Sequence, residues 1–545
     1  MLKTILSKLS GKEKTIYLVL TIVAGMIILW PLHNFQHYLA QGDHGRDLYC
    51  FKKVMEGALP YRDFSWLFGP LMPYYYALFY LFGGVSIQSI LFGQILLIFL
   101  AGIVIYLTCC VFLPPAISFL CAFWYWGYRG TEFFYTYNHI GGLLTLLIAL
   151  YCLFKYIELN ERRFICGGFV SILSLMLIRL NMGVSTLTAF VLSLFFSDFI
   201  QKDPKAPRKR RFYLLLSLGI LAIAFLIYWF LLYPLPKYAI TQSFPFEKTQ
   251  RTDYTSSVFD TVLYSWGMLA NYFTATLSQK IFGLILVFAS LQCLILGFSN
   301  KTPHKLKERI IIIFGSLFLF LALSSHEFFA SGVFYRIFWF FPLILITIFF
   351  LLGIATRDIR KTILQVIIFY TLLLPPLFNI HNEIRIIRFF KTPEHQLHVG
   401  PNNIFTTQDP KWFQTVAGAV DFIKKNTRPD EKILVLPLDP IYLFLSGRDS
   451  AARQLVFFEH INITEPQQRD IISEMETNHA NWAIISNRAV TPEGGMGVFG
   501  QTHCLLLAQY LRDHFEPAAD FGDWIGPPGW AWNHSVQILK RKPIH

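Results

Sequence analysis

The sequence predicts an α-helical membrane protein of about eleven transmembrane helices, followed by a small α/β domain. Three observations predict this fold class. Of the 545 residues, 54% are hydrophobic and 15% are charged, whereas a soluble chain usually carries about 25% charged residues. Long apolar runs recur through the first part of the chain, and beyond residue 381 they shorten to the length of strands. We therefore expect a transmembrane domain at 1–380 and a soluble domain at 381–545.

The transmembrane helices are predicted from the length of the apolar runs, because a helix needs about 20 mostly apolar residues to cross the hydrocarbon. The first run is not followed by a small-residue cleavage site, so we expect a signal anchor. Two joints stay open: the turn at 109–114 is very short, and 164–200 could be divided differently. The predicted spans are 15–33, 86–108, 110–127, 138–157, 164–180, 183–200, 213–233, 279–298, 310–328, 337–356 and 362–380.

The orientation follows from the basic residues. The net charge of +13 would suit nucleic acid or anionic lipid, but the basic residues cluster in short segments between apolar runs, which favours the lipid bilayer as partner and not nucleic acid. With the spans above, these segments all fall on one side, which is the cytoplasmic side by the positive-inside rule. The N-terminus is then cytoplasmic and the C-terminal domain lies outside. The segments are 3–14, 162–163, 202–211, 301–309 and 357–361.

The C-terminal domain is predicted from short apolar runs that alternate with amphipathic segments, a pattern typical of an α/β layer. No Gly-rich phosphate loop follows its strands, so nothing supports dinucleotide binding. The expected strands are 433–437, 482–486 and 536–539, and the expected helices are 412–425, 466–477 and 503–515.

The first outer loop, 34–85, is too rich in aromatic and charged residues for a simple linker. Between Gly45 and Gly57 its pattern predicts an amphipathic helix, with Leu48, Phe51, Val54 and Met55 on the apolar face. Such a helix would lie flat in the membrane interface. It would hold Asp43 at its N-terminus, where the helix dipole favours a carboxylate.

Three stretches of this loop resemble a known family. They are Gly42-Asp-His-Gly-Arg-Asp-Leu-Tyr49, Glu56-Gly-Ala-Leu-Pro-Tyr-Arg-Asp-Phe64 and Phe68-Gly-Pro-Leu-Met-Pro-Tyr-Tyr75. Their order resembles the first periplasmic loop of the C-type (GT-C) membrane glycosyltransferases, in the branch of aminoarabinose transferase, the protein O-mannosyltransferases and the lipopolysaccharide-core galacturonosyltransferase-like proteins. The resemblance covers about 42–76 by motif and 10–380 by topology.

The resemblance implies a glycosyltransferase of the bacterial inner membrane. It would move a hexose or pentose from a polyprenyl-phosphate donor to an extracytoplasmic lipid, glycan or protein, with inversion. Asp43 would be the general base, a role that supplies about 10²–10⁴-fold in rate; the alternative is a solvated helix cap. Asp63 would be a second site carboxylate, or else a structural partner of Arg62. His44 stands where the family usually has Glu, which puts a second-acid or metal role there in doubt.

Cationic side chains near the outer rim are candidates for the donor phosphate, because charge at membrane depth is costly. Arg179, Arg336 and Arg62 are the phosphate candidates; for Arg179 the alternative is an Arg that snorkels to the interface, and for Arg336 an aromatic-belt anchor. The candidate site-lining residues are His44, Arg46, Tyr61, Asn138, His326 and Glu327. Asp47 is expected to form an ion pair with Arg46 or Lys52.

No cofactor is assigned with certainty. Imidazole and carboxylate groups suit zinc, and His33, His37, Asp43 and His44 could be read as one set, but their spacing matches no firm zinc signature. A divalent metal therefore stays an alternative.

Two other functions are alternatives to glycosyl transfer. A transporter or flippase of lipid-linked glycans should show repeated halves or broken helices with paired charges at mid-membrane, and the sequence shows neither. A catalytically inactive relative that acts as a scaffold is the second alternative, against which the presence of Asp43 argues.

Overall fold

The computed structural model describes residues 2–29, 43–129, 137–233, 304–324, 341–355, 395–406, 411–487, 497–525 and 535–543. These ranges are mostly helical through residue 355 and mixed α/β after residue 395. The helices of the first part are α1 (Leu2–Leu29), α2 (Asp43–Met55), α3 (Leu71–Gly83), α4 (Ile87–Cys109), α5 (Pro115–Arg129), α6 (Tyr137–Leu159), α7 (Arg162–Ile178), α8 (Leu180–Ile200), α9 (Ala206–Leu232), α10 (His304–Ser324) and α11 (Phe341–Ala355).

Each predicted span within the described ranges overlaps one of these helices. Within the described ranges, four helices are long and apolar enough to cross a membrane: Ile87–Cys109, Asn138–Leu159, Leu180–Ile200 and Ala206–Leu232. The chain is therefore an integral membrane protein by its helices. The predicted spans 279–298 and 362–380 lie outside the described residues.

The open joint within 164–200 lies at Arg179, a single residue of extended backbone (φ −148°, ψ 104°) between α7 and α8. The two helices pack so closely after it that a Cβ on Gly183 would lie 2.6 Å from the Cα of Met176. Gly69 of the first outer loop also fits only as glycine, because an added Cβ would lie 2.1 Å from the carbonyl oxygen of Leu177. The N–H of Gly69 donates to the carbonyl of Ile178 over 2.9 Å. The first outer loop is thereby attached to the α7–α8 break.

Helix α2 forms where the amphipathic pattern predicts a helix, but it does not lie on lipid by its apolar face. Protein covers that face: Phe51 stacks on Tyr76 of α3 with ring centroids 4.7 Å apart, and the hydroxyl of Tyr80 donates to the carbonyl of Leu48 over 3.3 Å. Leu48 and Phe51 are fully buried. The apolar face of α2 is therefore packed on protein, with α3 and the C-terminal segment (residues 395–543) as its neighbours. The position of this helix in the membrane interface stays a prediction.

The C-terminal segment contains an antiparallel hairpin and a four-stranded mixed sheet. The sheet has the order β3-β4-β6-β5, with β3 and β4 parallel and the other neighbours antiparallel. Its elements are β1 (His395–Val399), β2 (Asn402–Thr406), α12 (Lys411–Asn426), β3 (Ile433–Leu436), α13 (Ile441–Ser446), α14 (Glu465–Thr477), β4 (Trp482–Ser486), α15 (Leu505–His514), β5 (Phe515–Phe521) and β6 (Val536–Arg541).

The predicted strands and helices of this segment are confirmed to within a few residues. The strands β3 and β4 are buried apolar runs, as parallel neighbours usually are. The hairpin β1–β2, strand β5 and the short helix α13 were not predicted from the sequence. These elements are short or have few apolar residues, and strand β5 consists largely of charged and small residues.

Replacement of Gly69 by alanine tests the attachment of the loop to the α7–α8 break. The added Cβ would lie 2.1 Å from the carbonyl oxygen of Leu177, so we expect Gly69→Ala to lower stability by about 1–3 kcal/mol or more. The control is Gly219→Ala in α9, where a Cβ meets nothing within 4 Å. Thermal unfolding in detergent, followed by tryptophan fluorescence, should separate the two variants; equal midpoints would contradict the attachment.

Candidate active site

Asp43 is the first residue of α2, and its side chain is 60% exposed. The residues directly behind it are buried: His44, Arg46 and Asp47 are each 2% exposed. A carboxylate at this end of a helix is stabilised by the unpaired N–H groups of the first turn. Asp43 is therefore an accessible carboxylate on a rigid, buried support.

The support of Asp43 is the guanidinium of Arg46. Its Nη1 donates to Oδ1 of Asp43 over 2.7 Å, while its Nε and Nη2 both donate to Oδ1 of Asp47 over 2.9 and 2.7 Å. The predicted ion pair between Asp47 and Arg46 is thus confirmed. Because Asp47 takes two of the three nitrogens, it orients the guanidinium and leaves Nη1 directed at Asp43.

Burial governs the protonation of this cluster. Burial raises the pKa of Asp47 to about 7, although the charge of Arg46 opposes the shift. Burial by itself would lower the pKa of Arg46, but the charges of Asp47 and Asp43 outweigh it and raise that pKa. Burial lowers the pKa of His44 to about 3, so this imidazole is neutral at physiological pH. His44 therefore contributes no positive charge beside Asp43.

The ring of Phe68 joins Asp43's support to the α7–α8 break. The Cζ of Arg46 and the Cζ of Arg179 each lie 5.3 Å from the centroid of Phe68, a distance typical of cation–π contact. Arg46 also lies 5.6 Å from the ring of Trp66. Nη1 of Arg179 lies 2.7 Å from Nε2 of His139. Two cationic groups from distant parts of the chain therefore meet around one aromatic ring.

Arg179 also stands directly before α8, and the first backbone N–H groups of a helix have no acceptor within the helix itself. A helix N-terminus together with a guanidinium favours an anion. Asn138, one residue before His139, is buried, and its Oδ1 has no hydrogen-bond partner in the described part of the chain. Phe68 thus links Arg46, the partner of Asp43, to Arg179, whereas Asn138 is connected to this group only as the sequence neighbour of His139.

Tyr61 is a buried residue with left-handed backbone (φ +69°), and its hydroxyl donates to the carbonyl of Phe68. The indole Nε1 of Trp66 donates to the carbonyl of Gly69 over 3.0 Å. Both contacts fix the turn that carries the Phe68 ring. Tyr61 therefore helps to position the Phe68 ring that contacts Arg46 and Arg179.

Asp63 and Arg62 lie on the exposed side of the loop. The Nε of Arg62 donates to Oδ1 of Asp63 over 3.0 Å, and the backbone N–H of Leu59 donates to Oδ2 over 2.8 Å. The hydrogen bond from Arg62 is the main cause that lowers the pKa of Asp63. These contacts are those of the structural alternative, in which Asp63 holds Arg62 and the turn.

The remaining predicted residues, His326, Glu327 and Arg336, lie outside the described residues, as do His33 and His37 of the suggested metal set. Among the residues that the structure describes, no group of three or more His, Cys, Asp or Glu side chains could hold a metal ion.

Phe68 and Trp66 were not predicted as site residues from the sequence. A signal was present: Phe64, Trp66 and Phe68 recur at every second position within the motif, next to the charged helix. The contact between α2 and the C-terminal segment was also not predicted from the sequence.

A scan against protein-family models finds no match, and a search of curated proteins finds none either. The fold is similar to that of the oligosaccharyltransferase of Archaeoglobus fulgidus, crystallised with Zn and sulfate, with a TM-score of 0.52 and 11% identity over 86% of this chain and 68% of that one. ArnT from Cupriavidus metallidurans also matches over 96% of this chain and 97% of its own, at 13% identity: its apo form gives a TM-score of 0.48, and its form bound to undecaprenyl phosphate gives 0.45. The predicted GT-C fold is thereby confirmed as a fold.

The burial of His44 predicts an acid-side loss of stability. The folded pKa of His44, about 3, lies below the unfolded value of about 6.5. Its neutral form therefore contributes fully above pH 6.5, and that contribution is lost as the pH falls from 6.5 toward 3. Between pH 7.5 and 4.5 we expect a loss of about 3 kcal/mol from this residue.

Thermal midpoints of the wild type and of His44→Gln in detergent at pH 7.5 and 4.5 measure this loss as a difference, because Asp47, whose pKa burial raises to about 7, contributes with the opposite sign in both proteins. His44→Gln should lose markedly less stability over the interval than the wild type, whereas His514→Gln, at an exposed histidine of α15, should behave as the wild type. The same acid-side loss in His44→Gln would show that the buried imidazole is not its source.

Proposed function

We propose that this chain, which has the fold of a membrane glycosyltransferase, moves a sugar from a polyprenyl-phosphate donor to an acceptor outside the cytoplasm. The observation that carries the proposal is the position of Asp43. Its carboxylate is accessible, is oriented by Arg46, and belongs to the same loop as Phe68, which contacts Arg179 beside the N-terminus of α8. A base and an anion-binding group on one support suit an inverting displacement of a phosphate.

In the proposed reaction, Asp43 accepts the proton of the acceptor hydroxyl. The acceptor oxygen forms the new bond to the anomeric carbon, and the bond from that carbon to the phosphate oxygen breaks with its electron pair. The developing charge on the phosphate requires cationic donors. Arg179 and the first N–H groups of α8 are proposed to supply them, with Arg336 and Arg62 as further candidates.

The topology belongs to the same proposal. About eleven spans would put the N-terminus in the cytoplasm and residues 381–545 outside, in a bacterial inner membrane. Asp43 would then lie at the outer surface, together with the acceptor. The C-terminal segment, on that same side, is proposed to contribute to the choice of acceptor.

Asp43→Asn tests the role of the base. The amide keeps the shape of the side chain but cannot accept the proton, so we expect transfer to fall by about 10²–10⁴-fold while membrane insertion and abundance stay unchanged. Mass spectrometry of envelope glycolipids, glycans and glycoproteins from cells with and without the protein first identifies the product and then measures the loss.

The matched control is Asp63→Asn, in the same loop, where the carboxylate holds Arg62 and a backbone N–H. If Asp63→Asn abolishes transfer and Asp43→Asn does not, the two carboxylates have been assigned the wrong roles. Products that depend on the protein but are unchanged in Asp43→Asn would favour a transporter or a scaffold.

Arg179→Gln tests the phosphate site. A hydrogen bond to a charged group contributes about 1.5–3 kcal/mol, so we expect the Kd for undecaprenyl phosphate in detergent to rise by about tenfold or more. Arg163→Gln is the control, because Arg163 lies at the opposite end of α7 and is 71% exposed. Equal affinities for both variants would remove Arg179 from the phosphate site.

A further inference from the structure

The C-terminal segment packs directly against the helix that carries Asp43. The two parts approach closely at Gly45, two residues after Asp43, where an added Cβ would lie 2.5 Å from the backbone N and 2.8 Å from the Cα of Ile441. Ile441 is the first residue of α13, and all six residues of that helix are buried. Because the obstructing atoms are backbone atoms, no change of side-chain rotamer would relieve the contact.

The contact continues along one face of α2. The hydroxyl of Tyr49 accepts a hydrogen bond from the N–H of Ser450 over 2.9 Å, and Nζ of Lys53 lies 3.1 Å from Oδ2 of Asp449. Gly45, Tyr49 and Lys53 are spaced by four residues, so they form a single stripe along the helix. The C-terminal segment therefore lies along two turns of α2 and touches it at more than its end.

The same segment also holds the loop that follows α2. Nη1 of Arg453 donates to the carbonyl of Tyr61 over 2.9 Å, and the N–H of Ser65 donates to the carbonyl of Arg453 over 2.8 Å. The N–H of Leu455 donates to the hydroxyl of Ser65 over 3.0 Å. Tyr61 is thus held at its carbonyl by Arg453, while its own hydroxyl holds Phe68.

We infer that residues 441–455 are a positioning element of the active site, which fixes Asp43 through Gly45 and fixes Phe68 through Tyr61. Phe68 in turn contacts both Arg46 and Arg179. The inference rests on the proposed function and goes beyond a role in acceptor choice: the segment sets the geometry of the base. A shift of about 1 Å in a reacting group can reduce a rate by about 10²-fold.

Deletion of the C-terminal segment would not distinguish positioning from acceptor choice, because it removes both. Point substitutions at the contact do distinguish them. Gly45→Ala places a methyl group against the backbone of Ile441, and Arg453→Gln removes the charged donor to Tyr61. Neither side chain is proposed to touch the substrate.

Three measurements on the full-length protein decide the matter. For Gly45→Ala we expect a rate of envelope modification at least tenfold lower, a Kd for undecaprenyl phosphate within about twofold of the wild type, and faster amide hydrogen exchange in residues 43–55. Gly219→Ala should match the wild type in all three. Arg453→Gln should also lower the rate, and Arg453→Lys, which keeps a charged donor, should restore part of it.

The inference is overturned if Gly45→Ala and Arg453→Gln keep the wild-type rate. It is equally overturned if they change only the preference among acceptors while exchange in residues 43–55 stays as in the wild type. Failure of the proposed function has a different signature, since transfer would then survive Asp43→Asn.

Discussion

The structure around the first outer loop depends on one buried positive charge, the guanidinium of Arg46. A charge removed from water is costly unless opposite charges and hydrogen bonds compensate it. Asp47 supplies a buried partner and Asp43 an accessible one, while the faces of Trp66 and Phe68 cover the remaining surface. The need to neutralise Arg46 thus keeps a carboxylate at the start of α2, oriented and yet open to a reactant.

This arrangement places different demands on the two aspartates. Asp47 is buried and forms an ion pair with Arg46 in the protein interior. Asp43 forms its ion pair with Arg46 through Oδ1 and is largely exposed. A general base needs access to its proton donor as well as a fixed direction. Of the two, only Asp43 combines access with orientation by Arg46.

The sequence predicted those features that depend on local pattern. The helix at 43–55, the ion pair between Asp47 and Arg46, and the strands β3, β4 and β6 all follow from periodicity or from neighbouring residue types. The protein contacts that cover α2 could not be predicted in this way, because an apolar helix face has the same residue pattern whether it packs on lipid or on protein.

Contacts between distant parts of the chain cannot be predicted from local sequence patterns. Gly45 and Ile441 are nearly 400 residues apart, and nothing in either local sequence names the other. Phe68 and Arg179 meet where the N–H of Gly69 binds the carbonyl of Ile178, beside the α7–α8 break. One sequence does not distinguish a glycine that is required by close backbone packing from any other glycine of a loop or helix.

Asymmetric thiol labelling measures most directly whether Asp43 faces the outer aqueous boundary. In a background with Cys166 replaced by serine, Asp43→Cys and Lys205→Cys, both at exposed positions, are treated with a membrane-impermeant maleimide in intact cells and again after permeabilisation. We expect position 43 to react in intact cells and position 205 to react only after permeabilisation. Reaction at position 43 only after permeabilisation would place this carboxylate on the cytoplasmic side and contradict its proposed role at the outer surface.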